Sequence, residues 1–540
     1  MTTKIARINQ ISKERPKEVF TSIYHLINKE LLKECFYELD GDKAVGIDKV
    51  TKEEYWYDLD NNLNNLVERL KTMSYRPSPA RRVNIPKANG KIRGLAIANF
   101  EDKIVQMAVK KILEAIWEPK FTNNMFGFRP NQSCHKALRY LNECNIFNKV
   151  DYILDADIKG YFDNIDHIKL IKCLEMHIKD RKLLRLIKRF LKAGILENGK
   201  CIKGELGTPQ GSILSPVLAN IYMYYALILW FESIKKISRG YVEIINYADD
   251  MVICFQYENE AKIIYQQMKI RLRQCGLEFA EDKTRLIEFG RYAKERRTKR
   301  GLGKPETFDF LGFTHYCSQS RNGKFRVKRK TSRKKFSNKV SEYNIWLKQN
   351  RKIPLSDIMN MTKKKLIGHY NYFGVQDNSR SLNNYYNCIT ALLYKWLNRR
   401  SQRRSYTSKE FNQMLKVFNL PSPKIVVNIW WINTMLWRAV CGKTARTVLW
   451  GFYEAIHNST RYAYHNKLVA EQFDESEDYD QVKKVIQICF DDFNRFDDGI
   501  VIKFVMADLD RGFLEDKNVE KYHIILPNLK KRCYNNTELI

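Results

Sequence analysis

The chain has 540 residues, of which 44% are hydrophobic, so it is long enough for more than one domain and too apolar for wholesale disorder. Its formal net charge of +33 indicates a polyanionic partner. Nucleic acid is favoured over an anionic membrane, because no long apolar run or amphipathic anchor is evident. The twelve cysteines stand singly and the N-terminus has no apolar signal segment, which disfavours a zinc ribbon and a disulfide framework. We expect a soluble, cytoplasmic protein.

The first 75 residues place apolar side chains at helical spacing, as in Leu59, Leu63 and Leu66, and are predicted to form a helical extension. The segment Lys43–Asp48 interrupts this pattern with a glycine-containing turn. A plain loop between two helices is one of two equally good interpretations of that segment, the other being a functional segment of the extension.

A basic hairpin follows the helical extension. Arg81–Lys87 and Lys91–Leu95 are predicted strands joined by an Asn-Gly turn. Lys87 and Arg93 lie on either side of the turn, where an ammonium and a guanidinium group could close over a triphosphate. A solvated basic hairpin explains the pattern equally well.

Carboxylates stand at the ends of predicted strands further along the chain. Tyr152–Asp157 is an apolar run that ends in acids, and the hairpin Ile244–Phe255 carries Asp249 and Asp250 in its turn. Adjacent acids between apolar strands repel each other unless a cation is present, and Mg²⁺ prefers such oxygen ligands. Three carboxylates from two neighbouring strands would suffice for two-metal nucleotidyl transfer. For the Asp-Asp pair alone, an ordinary surface turn is the alternative.

The segment between the two acidic sites is also distinctive. Leu206–Pro216 places Gly207 and Gly211 around a Pro-Gln pair, so that the backbone can approach a bound base pair closely. Leu218–Phe231 is predicted to be an aromatic-rich core helix.

The charge is densest in residues 291–339, which hold 17 Lys or Arg against three acids. Blocks such as Arg326–Lys330 and Arg333–Lys335 are expected to bind phosphates, with a disordered basic linker as the alternative. Helical runs follow near residues 345–347, 366–373 and 385–396. The charge then reverses, because residues 471–520 hold 15 acids and six bases.

Tyr247-Ala248-Asp249-Asp250, preceded by Asp157 and by the Gly-Thr-Pro-Gln-Gly-Ser run of residues 207–212, resembles the palm of a reverse transcriptase. Specifically, the chain resembles the group II intron reverse transcriptase/maturase family over roughly residues 20–425. The resemblance implies an α+β fold of the right-hand polymerase type, with fingers, palm, a helical thumb/maturase domain and an extra C-terminal domain. The implied domains are an N-terminal extension (1–75), fingers and palm (76–315), a thumb/maturase or X domain (316–430) and a C-terminal domain of unknown function (431–540).

The resemblance also implies an activity, that of an RNA-directed DNA polymerase, which is a nucleotidyltransferase. Two Mg²⁺ ions, for which Mn²⁺ could substitute, would be held by the side chains of Asp157, Asp249 and Asp250 and by the backbone carbonyl of Ile158. In the family, the Lys43–Asp48 region corresponds to a basic segment that meets template RNA.

Further residues are assigned by the same resemblance. The ring of Phe162 would lie beneath the sugar and exclude a 2′-hydroxyl, and Lys283 would lie near the nucleotide phosphates. Arg129 would contact template or nucleotide, or else pack the fingers. The implied nucleotide-binding residues are Lys87, Arg93, Phe162, Gln210 and Lys283, and the implied primer grip is Phe310, Leu311 and Gly312.

The expected partners are an RNA template, a DNA primer, dNTPs and a cognate intron or other non-coding RNA, but not a membrane. Intron RNA splicing (maturase) activity is an additional expectation. Two alternatives are a domesticated enzyme in antiphage defence and a mainly RNA-binding splicing factor, although the intact acid triad argues against the latter as the sole role. The sequence does not fix the oligomeric state.

Overall fold

A computed structural model of the chain describes residues 3–86, 92–197, 199–202, 204, 206–320, 322–400 and 405–429, together with the backbone of two strands beyond them. The chain divides into two compact units, Met1–Trp430 and Trp431–Ile540. Within the first unit helices and mostly antiparallel sheets alternate, which agrees with the predicted α+β class.

The N-terminal region is helical, as predicted. Thr51 and Glu54 form a reciprocal capping box at the start of one short helix. Two of the other helices pack on a long helix whose surface is buried almost all round. The helices are α1 (Thr3–Glu14), α2 (Lys29–Glu38), α3 (Lys52–Trp56), α4 (Leu59–Lys71) and, after two strands, the long α5 (Phe100–Trp117).

The loop between α2 and α3 contains the Lys43–Asp48 segment and is fastened to its neighbours. Arg81 donates to the carbonyl of Val45 at 2.8 Å, and Lys103 donates to the carbonyl of Ala44 at 2.7 Å. The segment is therefore a helix–helix loop whose backbone is anchored by the side chains of Arg81 and Lys103.

The predicted basic hairpin is present as two antiparallel strands, β1 (Ala80–Pro86) and β2 (Ile92–Ile97). They form a four-stranded sheet in the order β2-β1-β4-β5, in which β1 and β4 run parallel. This sheet lies in the region that is predicted to form the fingers. Its other elements are β4 (Ile195–Glu197) and β5 (Lys200–Ile202), and α6 (Cys134–Phe147) lies between the fingers and the palm in sequence.

The palm sheet has the order β6-β7-β3-β8 and is antiparallel throughout. Its strands read as nearly continuous apolar runs because both faces of the sheet are buried. Ile244 and Ile253 face one hydrophobic core, whereas Ile245 and Val252 face the other. The palm elements are β3 (Tyr152–Asp157), α7 (His167–Glu175), α8 (Arg181–Lys192), β6 (Val242–Tyr247), β7 (Asp250–Phe255), α11 (Glu258–Gln274) and β8 (Arg285–Glu288).

The predicted aromatic-rich helix is α9 (Ser215–Met223), which continues through a π-helical turn, Tyr224–Ile228, into α10 (Leu229–Ile237). Among the described residues it is the one helix that is long and apolar enough to cross a membrane. However, 61% of its most apolar window is buried inside the protein. Its apolar residues belong to the core on one side of the palm sheet.

The basic stretch of residues 291–339 is folded rather than a disordered linker. It begins with α12 (Ala293–Lys299) and then forms a three-stranded sheet in the order β11-β10-β9. The helices predicted near residues 345, 366 and 385 are confirmed. The remaining elements are β9 (Phe308–Phe310), β10 (Phe313–Gln319), β11 (Phe325–Thr331), α13 (Arg333–Asn350), α14 (Leu355–Phe373), α15 (Ser379–Leu397) and α16 (Ser408–Val417).

The expectation that these basic blocks bind phosphates throughout is wrong for several residues. Arg329 is fully buried and donates to the side chain of Asn142. Arg326 pairs with Asp377 at 3.1 Å, and Arg296 donates to Asp151 at 2.9 Å. Alternate residues of β11 point inward, so only part of its charge reaches solvent.

Two strands are described in the second unit, β12 (Val485–Cys489) and β13 (Lys503–Ala507), which pair antiparallel. The strand predicted near residues 501–505 overlaps β13. The helices predicted near residues 437 and 448–453 lie outside the described residues.

Candidate active site

Strand register brings the three predicted carboxylates to one edge of the palm sheet. Asp157, the last residue of β3, lies directly opposite Asp250, the first residue of β7. Ala248 and Asp249 form the two-residue turn between β6 and β7, and Ala248 adopts φ +59°. A non-glycine residue in this left-handed region is strained, so the surrounding structure must hold the turn in place.

Negative charge is concentrated at this edge. The surrounding protein shields Asp250 from bulk water and, together with the carboxylates of Asp249, Asp157 and Asp155, raises the pKa of Asp250 to about 7, although part of its side chain reaches solvent. Burial likewise raises the pKa of Asp155 to about 6. The ammonium group of Lys283 binds Oδ2 of Asp157, and this hydrogen bond raises the pKa of Lys283. The edge thus attracts cations.

This donor set fits divalent ions. Carboxylate oxygens on neighbouring strands are hard ligands, and their mutual repulsion is relieved by a cation. Within the described ranges, no group of three or more His, Cys, Asp or Glu side chains meets as a ready-made metal site. The fit of these carboxylates to divalent ions is therefore argued from strand register and from the concentration of negative charge. In the structure the ammonium group of Lys283 contacts Asp157.

Ile158, whose backbone carbonyl is a predicted metal ligand, continues β3 beside the acids. It forms an isolated antiparallel bridge with Phe279. The hydrogen bonds that flank the bridge use the carbonyl of Asp157, at 2.7 Å from the nitrogen of Ala280, and the N–H of Lys159. The Ile158 carbonyl therefore takes no part in this ladder.

A second wall of the site is built by the turn after β3 and by the glycine-rich loop. Phe162 lies in the short 3₁₀ helix Tyr161–Asp163, and its carbonyl accepts a hydrogen bond from the N–H of Thr208 at 2.7 Å. Gly207 adopts φ +84°, and a Cβ atom there would lie 2.9 Å from the carbonyl oxygen of Asp163. The glycine is needed because the two backbone segments approach so closely.

The same loop also contacts the fingers. The carbonyl of Gln210 accepts a hydrogen bond from the N–H of Ala96 in β2 at 2.7 Å, and its side-chain amide donates to Asp163 at 3.3 Å. A cleft of about 330 Å³ lies between fingers and loop, with Arg82 and Ile92 among its lining residues. Gln210 is thus placed where the palm turn, the loop and the fingers meet.

The fingers hairpin is only partly described at its tip. Lys87 lies outside the described residues. For Arg93 the structure gives the backbone, which pairs with Ile85 across the hairpin. Their assignment to the nucleotide phosphates stays a prediction.

The predicted primer grip is a tight turn, as expected. Leu311 and Gly312 join β9 to β10 with φ of +50° and +79°. The carbonyl of Leu311 accepts a hydrogen bond from the hydroxyl of Tyr372 at 3.0 Å. Phe310 is buried, so Leu311 and Gly312 are the part of this predicted grip that reaches the surface.

The fingers segment of residues 124–131 packs on the acidic hairpin. The N–H of Asn246 donates to the carbonyl of Asn124 at 2.8 Å. The guanidinium group of Arg129 is nearly buried, and it donates to Glu118 at 2.7 Å and to the carbonyl of Thr122 at 2.7 Å. Of the two roles considered for Arg129, the structure favours packing of the fingers over contact with template or nucleotide.

Sequence reasoning missed two residues at this site. Asp155 lies on the same strand as Asp157, two residues earlier, and adds to the negative charge. Phe128 is half exposed and places its ring edge-on to Phe162 at 6.1 Å. The alternation of β3 could have revealed Asp155, since residues two apart share a face of the sheet. Nothing in the local sequence distinguishes Phe128 from a core aromatic.

Residues 85–315 match a family model described as reverse transcriptase (RNA-dependent DNA polymerase). The chain is 35% identical over 304 residues to the "Group II intron-encoded protein LtrA" of Lactococcus lactis subsp. cremoris, which covers 54% of this chain and 50% of that protein. It is 26% identical over 452 residues to the "Putative COX1/OXI3 intron 1 protein" of Saccharomyces cerevisiae, covering 68% and 51%. The "Nuclear intron maturase 1, mitochondrial" of Arabidopsis thaliana is 30% identical over 108 residues, covering 19% and 15%. In the first two comparisons the chain thus spans about half the length of the relative.

Proposed function

We propose that this chain, which belongs to the group II intron reverse transcriptase/maturase family, is an RNA-directed DNA polymerase that extends a DNA primer along an RNA template. The observation that carries the proposal is the register of the palm sheet, which pairs Asp157 with Asp250 and sets Asp249 in the adjoining turn. These carboxylates lie beside a loop that the palm and the fingers both hold.

The proposed cofactor is Mg²⁺, two ions of which Asp157, Asp249, Asp250 and the Ile158 carbonyl would hold, with Mn²⁺ as a substitute. When bound, such ions lower the pKa of the attacking hydroxyl and stabilise the charge of the leaving pyrophosphate. Lys283 pairs with Asp157, and its flexible ammonium group would turn toward the triphosphate of an incoming dNTP.

Other side chains would position the substrate. Phe162 would lie under the deoxyribose, where a 2′-hydroxyl would clash with its ring, because exclusion of this kind works by steric repulsion. Gln210 would contact the nascent base pair through the loop backbone, and Lys87 and Arg93 would bind the phosphates from the fingers. Leu311 and Gly312 would support the primer end.

Primer extension tests the assignment. Asp157→Asn and Asp249→Asn should each abolish incorporation of dNTPs on an RNA template, while the melting temperature changes little, since the carboxylates serve a cation rather than the core. The matched control is Glu281→Gln, which removes an exposed carboxylate that pairs with Lys269 in the neighbouring loop. The control should retain activity.

Wild-type-like extension by either aspartate variant would disprove the assignment of the site. Replacing Mg²⁺ by Mn²⁺ and then by Ca²⁺ separates ion binding from chemistry. Extension that persists in EDTA would show that the carboxylates do not act through divalent ions.

We also propose that the thumb binds the primer–template duplex and an intron RNA as cognate partner, as a maturase would. The proposal is supported by exposed basic side chains of β11 and the thumb helices, and by relatives whose names refer to introns. The exposed residues include Lys330, Arg333, Lys334, Lys339 and Lys364. Binding of the chain to an RNA that spans a group II intron, compared with a size-matched control RNA, tests this second role.

A further inference from the structure

Phe128 has an unusual backbone conformation for a large side chain. It adopts φ +57°, and the residue is 50% exposed. An aromatic residue in the left-handed region costs about 1–2 kcal/mol relative to glycine or to an extended conformation. A half-exposed ring recovers only part of its burial energy, so packing of Phe128 alone does not account for this conformation.

The segment around Phe128 is held from three directions. A Cβ atom on Gly127 would lie 2.5 Å from the backbone nitrogen of Ala248, so the segment rests directly on the turn that carries Asp249. Asn220 donates to the carbonyl of Gly127 at 2.7 Å. On the other side, Arg129 is fixed by its hydrogen bonds to Glu118 and to backbone carbonyls. These contacts anchor the residues on either side of Phe128, and so the backbone that carries its ring.

That ring meets Phe162. The two centroids are 6.1 Å apart and the ring planes are 81° apart, which is an edge-to-face arrangement. Phe162 has a second aromatic neighbour, the buried Tyr161, at 5.5 Å and 65°. Phe162 therefore has two aromatic neighbours, the buried ring of Tyr161 and the half-exposed ring of Phe128.

We propose that Phe128 is a positioning residue for sugar selection, which fixes the ring of Phe162 where it excludes the 2′-hydroxyl of a ribonucleotide. This inference rests on the proposed polymerase function and deepens it. Exclusion by steric clash requires a ring that does not yield, because a side chain that can rotate away accommodates the larger substrate. Tyr161 and Phe128 both contact the ring of Phe162, so each restricts its rotation, and Phe128 is the one of the two that is partly exposed.

The test compares steady-state incorporation of dCTP and CTP opposite guanine in an RNA template by the full chain. Phe128→Gly removes the ring and also relieves the strain at φ +57°, so this variant should fold at least as well as the wild type. Its preference for dCTP over CTP, as a ratio of kcat/KM values, should fall about three- to tenfold, the effect of losing one edge-to-face pair. Phe128→Tyr retains the ring and should keep the wild-type ratio.

Phe162→Ala supplies the second arm of a double-mutant cycle. If the two rings act as a unit, Phe128→Gly should relax the preference no further in the Phe162→Ala background. An unchanged ratio in Phe128→Gly, in a chain where Phe162→Ala does relax it, overturns this inference and leaves the polymerase assignment standing. Fully additive effects, or an unchanged ratio in Phe162→Ala, also overturn it. Absence of templated dCTP incorporation by the wild type instead overturns the proposed function and this inference with it.

Discussion

Two glycines with nearly the same backbone conformation allow the fit of the glycine-rich loop to be measured. Gly207 has φ +84° and Gly199 has φ +77°, so alanine at either position has a similar cost of about 1–2 kcal/mol for the left-handed region. At Gly199, in the hairpin between β4 and β5, no atom of the described residues lies within 4 Å of the point where a Cβ atom would stand, whereas at Gly207 that atom would lie 2.9 Å from the carbonyl oxygen of Asp163. The difference in stability between the two alanine variants therefore measures the effect of the close approach between residue 207 and the backbone of Asp163.

The magnitude follows from the bonds that the displaced backbone would strain. The N–H groups of Gly207 and Thr208 donate to the carbonyls of Ile165 and Phe162 at 2.8 and 2.7 Å. Each such hydrogen bond contributes about 1 kcal/mol, so Gly207→Ala should cost about 2 kcal/mol more than Gly199→Ala. The same strain would displace the loop from the turn that carries Phe162, which is the proposed wall of the nucleotide site. A loss of about 2 kcal/mol in dNTP binding corresponds to a rise of about 30-fold in KM.

The assay is primer extension at varied dNTP concentration, with thermal denaturation of both variants in parallel. Gly207→Ala should raise KM strongly and lower the melting temperature, and Gly199→Ala should lower the melting temperature less and leave KM near the wild-type value. Equal effects of the two substitutions on KM would refute the reasoning, because the close contact between Gly207 and Asp163 would then have no effect on dNTP binding.

Three further outcomes are expected. Lys330→Ala should reduce by about one the slope of log affinity for primer–template against log salt, whereas Lys262→Ala, which removes a lysine paired within α11, should leave the slope unchanged. Arg329→Met should leave the melting temperature unchanged or raise it, because Nε and Nη1 of this buried guanidinium have no hydrogen-bond partner in the described structure, whereas Arg326→Met should lower it by breaking an ion pair. Burial raises the pKa of Asp102 to about 6, so the stability that its proton contributes is complete below the unfolded pKa near 4 and is lost as pH rises through 6. Asp102→Asn should flatten the change in melting temperature between pH 4 and pH 6, and an unaltered pH profile would contradict this.

The palm could be predicted from the sequence because its strands and its acids give consistent signals. Apolar runs on both sides of Asp249 and Asp250 require a hairpin, and a second run ending at Asp157 supplies its neighbour. The glycines of the loop are also recognisable, since their φ values above +80° admit few other residues. These features are local, so periodicity and residue type are enough to find them.

The basic sheet could not be predicted in the same way, because the partners of its charges are distant in sequence. Arg329 reaches Asn142, 187 residues away, and Arg326 reaches Asp377, 51 residues away. From the sequence alone each of these arginines looks like one more surface cation in a basic block. Only the pairing of β10 with β11 shows that Arg329 faces inward, opposite the buried His315.

The position of Phe128 could not be predicted from the sequence for the same reason. Its role depends on the approach of residues 124–131 to the acidic hairpin, which is fixed by contacts 93 or more residues away in sequence, such as that between Gly127 and Asn220. The neighbouring Arg129 carried the stronger sequence signal, because a guanidinium group is a common phosphate ligand. In the structure this arginine pairs with Glu118 and donates to backbone carbonyls, and the half-exposed aromatic beside it contacts Phe162.

The loop of residues 206–212 makes the walls of the site dependent on one another. Its Thr208 is bonded to the turn that carries Phe162, and its Gln210 is bonded to Ala96 of the fingers strand β2. A movement of the fingers that stretched the bond to Ala96 would therefore be transmitted within two residues to the carbonyl of Phe162. Because Gly207 rests directly on the backbone of Asp163, the loop cannot absorb such a movement by approaching the turn. The proposed sugar selection at Phe162 and the proposed nucleotide binding by the fingers are then expected to be coupled, since one short segment of backbone connects both.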